Sequence, residues 1–158
     1  MSRDITAELD FLRESNNIED VWDDRSLMGA WWAWDWLLRQ ERFTSFVVKT
    51  VHQILMQDQP LDRDLHGRYR TCAVYVGNHQ GASWEQIPGL IDDWIAHIHR
   101  SDDWQADHVA YERIHPFVDG NGRTGRMFMN WQRLRLGLPV LVIRESEKRE
   151  YYRWFAGD

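Results

Sequence analysis

A chain of 158 residues has the length of one domain, and at 43% apolar and 28% charged residues it has the composition of a globular protein and not of a disordered one. Lys plus Arg number 19 against 25 Asp plus Glu, a net charge of −6, which argues against a nucleic-acid partner held by a basic face. The single cysteine, Cys72, excludes an internal disulfide and a multi-cysteine zinc site and fits a reducing, cytoplasmic setting.

The N-terminus has no apolar h-region and no small-residue cleavage site, so it does not read as a signal peptide. Ile5, Leu9 and Leu12 recur at helical spacing and predict a helix over 4–14, followed by a short segment at 15–20. A second helix over 25–40 carries Trp31, Trp32, Trp34 and Trp36. Its apolar stretch at 27–38 holds Asp35 and falls short of the roughly 20 residues needed to cross a bilayer, so no membrane partner is expected. The tryptophans suit a core helix, or a homodimer face if they are exposed. A third helix over 44–57 places Phe46, Val47, Val51, Ile54 and Leu55 on one face and stops before Pro60. Thr71, Cys72, Ala73, Val74, Tyr75 and Val76 are β-prone, and Gly77-Asn78 and Gly81 are turn signals, so a short hairpin is expected. Helices resume over 84–100 and 104–113. After a loop at 115–122 another helix runs to Leu136, ended by Gly137 and Pro139. Residues 140–143 read as extended and 146–155 as a last short helix. The fold class is all-α, a compact bundle of six to eight helices with one small β-hairpin.

The stretch His115-Pro-Phe-Val-Asp-Gly-Asn-Gly-Arg-Thr-Gly-Arg126 carries the chemistry. Gly120 and Gly122 flank Asn121 just before a helix, where bare backbone and the positive end of the helix dipole suit an anion. Arg123 and Arg126, three apart, share a face of the first turn. Cations there oppose the helix dipole, and a bound polyphosphate would reverse that penalty. Asp119 is a hard oxygen ligand suited to Mg²⁺ on phosphates, and His115 can serve as a base near neutral pH. These residue types alone give a phosphate-binding loop with a candidate base.

The same stretch resembles the Fic signature, His-x-Phe-x-(Asp/Glu)-Gly-Asn-Gly-Arg-x-x-Arg, with all eight fixed positions filled by His115, Phe117, Asp119, Gly120, Asn121, Gly122, Arg123 and Arg126. Gly67-Arg-Tyr-Arg-Thr71 with Val74-Tyr-Val-Gly77, the approach helix from His108 to Ile114, and Met129-Asn130, Gly137-Leu-Pro139 and Tyr151-Tyr152 extend the resemblance over roughly 40–155. It implies a Fic-type helical bundle that transfers AMP from ATP, with Mg²⁺, to a Ser, Thr or Tyr hydroxyl of a target protein. In that role His115 is the base and Asp119 the metal ligand. The Gly120–Gly122 backbone and the Asn121 side chain cradle phosphates, Arg123 meets the β-phosphate and Arg126 the γ-phosphate. Phe117 anchors the loop, and residues 71–76 form a flap that docks the target.

The resemblance also implies an inhibitory motif, (Ser/Thr)-x-x-x-Glu-(Gly/Asn). Ser15 and Glu19 match it, while Asp20 stands where Gly or Asn is usual. Ser146 and Glu150 have the same spacing but precede Tyr151. Residues 1–24 are thus expected to form an inhibitory helix region and 25–158 the catalytic core. Many relatives continue beyond the tail and supply an asparagine to the adenine. None matches here, which leaves the base open to GTP or UTP. Deadenylylation, or transfer of another phosphate-containing group by the same site, is the alternative activity. A non-catalytic nucleotide binder and an interaction protein built on the Trp-rich helix are the readings outside it.

Overall fold

The structure, a computed structural model, describes residues 2–156. The described residues form seven α-helices, four short 3₁₀ turns and one two-stranded hairpin. The helices are α1 (Ile5–Ile18), α2 (Asp24–Leu38), α3 (Ser45–Met56), α4 (Ile87–Ile98), α5 (Trp104–Ile114), α6 (Asn121–Arg135) and α7 (Lys148–Tyr152). The strands β1 (Tyr75–Val76) and β2 (His79–Gln80) pair antiparallel between α3 and α4. The all-α class with a small hairpin is the architecture expected.

Local chemistry sets the helix starts. The side chains of Asp4, Asp23, Thr44 and Asp103 accept the backbone N–H of Ala7, Ser26, Val47 and Ala106, each satisfying one of the first-turn donors that no carbonyl can reach. Two spans differ from the sequence reading. α1 continues through Ser15 to Ile18, because the segment at 15–20 keeps its buried face as Ser15, Asn16 and Ile18. Residues 140–143 make no strand; Asn130 instead clamps both polar backbone atoms of Leu141, at 2.7 and 3.1 Å.

The helices close around α6. Its residues from Asn121 to Arg133 are buried with the exception of Gly122. Phe43, Trp94 and Trp131 pack with Phe128 in one aromatic cluster, and Phe11 and Leu12 of α1 join the same core as Trp34, Leu37 and Val51. The expected boundary between residues 24 and 25 therefore falls inside the first turn of α2, and α1 and α2 share one core. Of the Trp-rich group, Trp34 is fully buried, Trp31 and Trp36 are partly buried against the core, and Trp32 is exposed. No described helix is long and apolar enough to cross a membrane.

Trp34 also ties α1 to α2. Its indole Nε1 donates to Glu8 Oε1 at 2.6 Å, and Arg3 pairs with the same buried carboxylate at 2.6 Å. A buried carboxylate that loses a donor keeps its desolvation cost. Trp34→Phe should therefore lower stability by about 1–3 kcal/mol in urea unfolding, whereas truncation of the exposed Trp32 to alanine should cost about 1 kcal/mol or less.

Candidate active site

The loop between α5 and α6 is held in a shape its residues would not adopt alone. His115 caps α5 in the left-handed region at φ +52°, costly for a residue with a Cβ. Phe117 is fully buried and lies flat on His52 of α3, ring centroids 3.7 Å apart. The His52 Nδ1 accepts from Gly67 N–H at 2.9 Å, so its Nε2 carries the hydrogen and donates to Asp119 O at 2.8 Å. Burial lowers the His52 pKa to about 4, so the ring stays neutral and this tautomer persists. Gly120 stands at φ +86°, and a Cβ there would lie 2.8 Å from the Met56 sulfur.

Asn121 has a different task from the expected one. Its Oδ1 accepts from Phe117 N–H at 2.9 Å and its Nδ2 donates to Phe117 O at 2.8 Å. The side chain is spent closing the loop. What faces a ligand is the start of α6 itself: its first backbone bond is from Thr124 N–H to Gly120 O, so the N–H groups of residues 121–123 precede the helical ladder.

The two motif arginines are both buried and differently held. Arg123 donates to Gln59 Oε1 at 2.8 Å and stands 3.6 Å from Asp119, with its Nε lacking a partner. Gln59 in turn donates to Ser26, which Asp23 holds. Arg126 donates through Nε to Ser15 Oγ at 2.7 Å, through Nη2 to Ser15 O and Glu19 Oε1 at 3.0 Å each, and through Nη1 to Tyr151 Oη at 3.2 Å. Burial alone would lower the Arg126 pKa, but the Tyr151 oxygen that accepts from it and the Glu19 carboxylate beside it raise it above the ordinary value. Gly122 makes room for the ion pair: a Cβ would sit 2.8 Å from Glu19 Oε1 and 2.9 Å from Arg126 Nη1. Asp20 occupies a left-handed position at φ +59°, which explains a preference for Gly or Asn there, and its carboxylate accepts from Trp22 Nε1 at 2.7 Å. The rival Glu150 pairs with Arg153 at the surface, at 2.7 Å.

Some of these groups border one cavity of about 490 Å³. Glu19, Glu112, His115, Gly122 and Arg126 line one side, the hairpin residues Val76 to His79 another, and Tyr151, Tyr152 and Phe155 the third. Burial lowers the His115 pKa, which keeps the imidazole neutral and able to accept a proton. Asp119 is half open, and its Oδ1 accepts from Gly120 N–H at 2.8 Å. Among the described residues no group of three or more His, Cys, Asp or Glu could hold a metal ion. A single open carboxylate beside a phosphate cradle nevertheless fits Mg²⁺, which keeps waters and takes its other ligands from phosphates.

The flap is shorter than expected. Only Tyr75 and Val76 form a strand, pairing with Gln80 and His79, and one more bond runs from Gly81 N–H to Val74 O. Thr71, Cys72, Ala73 and Val74 form a non-strand neck. The reason is Arg70, missed in the sequence reading though its Gly67-Arg-Tyr-Arg-Thr71 context pointed at it. Its buried guanidinium donates to Cys72 O at 2.7 Å, Ala82 O at 2.6 Å, His115 O at 2.6 Å and Ile114 O at 3.1 Å. The carbonyls of both arms of the neck are thereby turned inward, onto the backbone that carries His115. His52 and Gln59 were missed as well, because a histidine on an apolar helix face and a glutamine after Met56 carry no signal of their own.

The family profile that matches the chain, that of the Fic/DOC family, covers residues 42–132. A Nematostella vectensis protein named protein adenylyltransferase Fic is 30% identical over 116 residues, which are 68% of this chain and 26% of that protein. A protein of the same name from Drosophila persimilis is 33% identical over 96 residues, 56% of this chain and 19% of that protein. The chain thus spans about a quarter or less of the length of these relatives. Among solved structures, a Fic-domain signaling protein from Bacteroides thetaiotaomicron superposes with a TM-score of 0.77 at 18% identity, covering 94% of this chain and 70% of that one. Fic-1 from C. elegans superposes with a TM-score of 0.75 at 20% identity, covering 96% and 55%. At such identities the superpositions speak for the fold.

The double bond of Asn121 to Phe117 is buried, so its loss leaves two backbone groups unsatisfied. Asn121→Ala should lower stability by about 2–4 kcal/mol in urea unfolding, and Asn121→Asp, which keeps one acceptor, by less.

Proposed function

The chain belongs to the Fic/DOC family, and on that premise we propose that it is a protein adenylyltransferase that moves AMP from ATP to a Ser, Thr or Tyr hydroxyl of a target protein. The observation that carries the reading is the meeting, around one cavity, of a neutral buried-edge histidine, an open helix N-terminus and a strand edge. His115 takes the proton of the target hydroxyl. The freed oxygen bonds to the α-phosphorus, the bond to the β-phosphate oxygen breaks, and pyrophosphate departs. The N–H groups that open α6 and Arg123 would meet the negative charge that accumulates on the leaving phosphates, and fixed donors in a partly dry site supply most of the rate enhancement in such transfers. Asp119 would hold Mg²⁺ that arrives with ATP, whose part is to neutralise the α- and β-phosphates. The Tyr75–Val76 edge would pair with an extended target segment. A single exposed cysteine fits the reducing cytoplasm. A homodimer would rest on Met28 and Trp32, an exposed pair one turn apart on α2.

The same reading makes Glu19 an autoinhibitor. Its carboxylate is bound to Arg126, the arginine assigned to the γ-phosphate, and a third of its side-chain surface is open to the cavity. A triphosphate can reach Arg126 in a productive pose only by displacing it. A charge-assisted pair contributes about 1.5–3 kcal/mol, which corresponds to about 10- to 150-fold.

Labelling with radioactive ATP tests both assignments. His115→Ala should cut incorporation by roughly 10²–10⁴-fold while ATP still binds. Parental labelling in that variant would remove His115 from the base role. Glu19→Gly should raise incorporation at least about tenfold, and adding Arg126→Ala should cancel the gain. A flat response to Glu19→Gly would reduce Glu19 to a helix cap. Asp119→Ala should abolish the dependence of ATP binding on Mg²⁺ in calorimetry.

A further inference from the structure

One acid in the cavity has no part in the scheme above. Glu112 lies on α5 one turn before His115, is 7% exposed, and lines the same cavity as Arg126 and Glu19. It also lines an adjoining cavity of about 300 Å³ beneath the hairpin. Its Oε1 packs so closely on α6 that a Cβ on Gly125 would lie 2.5 Å from it, and it has no hydrogen-bond partner among the described residues.

The neighbours that could have satisfied it are committed elsewhere. On α5, His108 donates from Nδ1–H to Gly125 O at 3.1 Å, so its Nε2, 4.0 Å from Glu112, is an acceptor and takes the Tyr151 hydroxyl proton at 2.7 Å. Burial lowers the His108 pKa to about 3, so the ring supplies no charge. On α6, Arg126 is the one cation close enough to act strongly, and it is engaged by Ser15, Tyr151 and Glu19. Glu19 from α1 adds a like charge. Tyr151 and Tyr152 of α7 are held neutral by burial, which raises both phenols. His79 of β2 and Arg113 of α5 border the outer cavity. Burial therefore raises the Glu112 carboxyl to about 7, against the downward pull of Arg126 and with the upward push of Glu19.

The Arg126–Glu19 pair is electrically balanced. A polyphosphate that replaces Glu19 at Arg126 brings more negative charge than it displaces, and a second ionised carboxylate in the wall would oppose it. A neutral carboxyl does the reverse, because its O–H is a donor and the group has an oxygen, Oε1, with no hydrogen-bond partner among the described residues. Resting on the adenylyl-transfer reading, we infer that Glu112 is a nucleotide-contacting residue: as the neutral acid it donates a hydrogen bond to the phosphate chain at Arg126, and as the carboxylate it repels that chain and competes for the arginine. The ligand class is a nucleoside triphosphate, and the consequence is a site that loosens as pH rises.

The sign follows from where the proton sits. The folded chain keeps it up to about pH 7, whereas the unfolded chain releases it near the ordinary glutamate value of 4.5. The folded state thus binds more protons between those limits, and stability falls as pH rises through them.

The test uses the full chain in the Glu19→Gly background, titrated calorimetrically with ATP and Mg²⁺ from about pH 5 to pH 8, because removing Glu19 withdraws one of the charges that raise the Glu112 carboxyl, alone and with Glu112→Gln or Glu112→Leu added. Comparison with the Gln variant cancels the titration of ATP itself. Parent affinity should fall by about tenfold relative to the Gln variant over this range. Gln should bind more tightly than Leu throughout, because it keeps a donor. Without nucleotide, the parent melting temperature should drop between about pH 5 and pH 8 relative to the Gln variant. Parallel affinity curves for parent and Gln variant, or equal binding by Gln and Leu, would overturn this inference alone. ATP binding absent from every variant would overturn the adenylyl-transfer reading, and this inference with it.

Discussion

The structure depends on a buried arginine. Arg126 sits on the central helix at 2% exposure, and taking a guanidinium out of water costs several kcal/mol unless its donors are met. They are met by two elements far apart in the chain: Ser15 and Glu19 from α1 and Tyr151 from α7. The need to satisfy this one side chain helps bring α1 against α6, and α7 follows because its tyrosine completes the shell. Arg144 adds surface pairs to Asp10 and Glu14, at 3.0 and 3.5 Å, that lock the tail onto α1. A helix as polar as α6 can be central because its arginines and amides are consumed inside, each by a partner from another helix or loop.

The loop between α5 and α6 depends on a second set of buried polar contacts. His115 stands in a left-handed conformation that a histidine enters at a cost of order 1–3 kcal/mol, and surrounding bonds must hold it there. Arg70 grips its carbonyl, His52 grips the carbonyl of Asp119, and Asn121 staples Phe117 between them. Arg70 carries a buried cation against backbone carbonyls, a wasteful way to fill space and a good way to fix the geometry of a hairpin neck against a loop. The distance between the strand edge and the imidazole is thus set by a single rigid fork.

Glu19 and Glu112 show how similar acids acquire opposite characters from their surroundings. Glu19 caps α1 at the cavity edge, with solvent on one side and Arg126 on the other, and forms an ion pair. Glu112 is enclosed, with its nearest donors turned away, and retains its proton. Both face one arginine, so the charge at that end of the cavity is set by one exposed and one buried carboxyl.

Much was legible in the sequence because it depends on neighbours along the chain. Helical periodicity marked α2 to α5 to within a few residues, and the caps found at Asp4, Asp23, Thr44 and Asp103 are residue types that favour helix starts. The stretch from His115 to Arg126 reads as a phosphate-binding loop from its spacing alone, since two glycines before a helix and two arginines three apart act through local geometry. The rest required the fold. Periodicity places Arg123 and Arg126 on a polar face and reads that face as solvent. It became interior because α1, α7 and the segment after α3 bring partners from up to 111 positions away in sequence. Ser15 with Glu19 and Ser146 with Glu150 have identical spacing. Only packing placed one acid on Arg126 and the other on a surface arginine. Asn121 reads as a cradle for phosphates until its side chain is found closed on Phe117, and nothing in the residue string reveals that Glu112 faces a cavity with no donor. Propensity and spacing are short-range properties. Burial, which decides whether a polar group is bound, charged or left unpaired, is set by residues that meet only when the chain has folded.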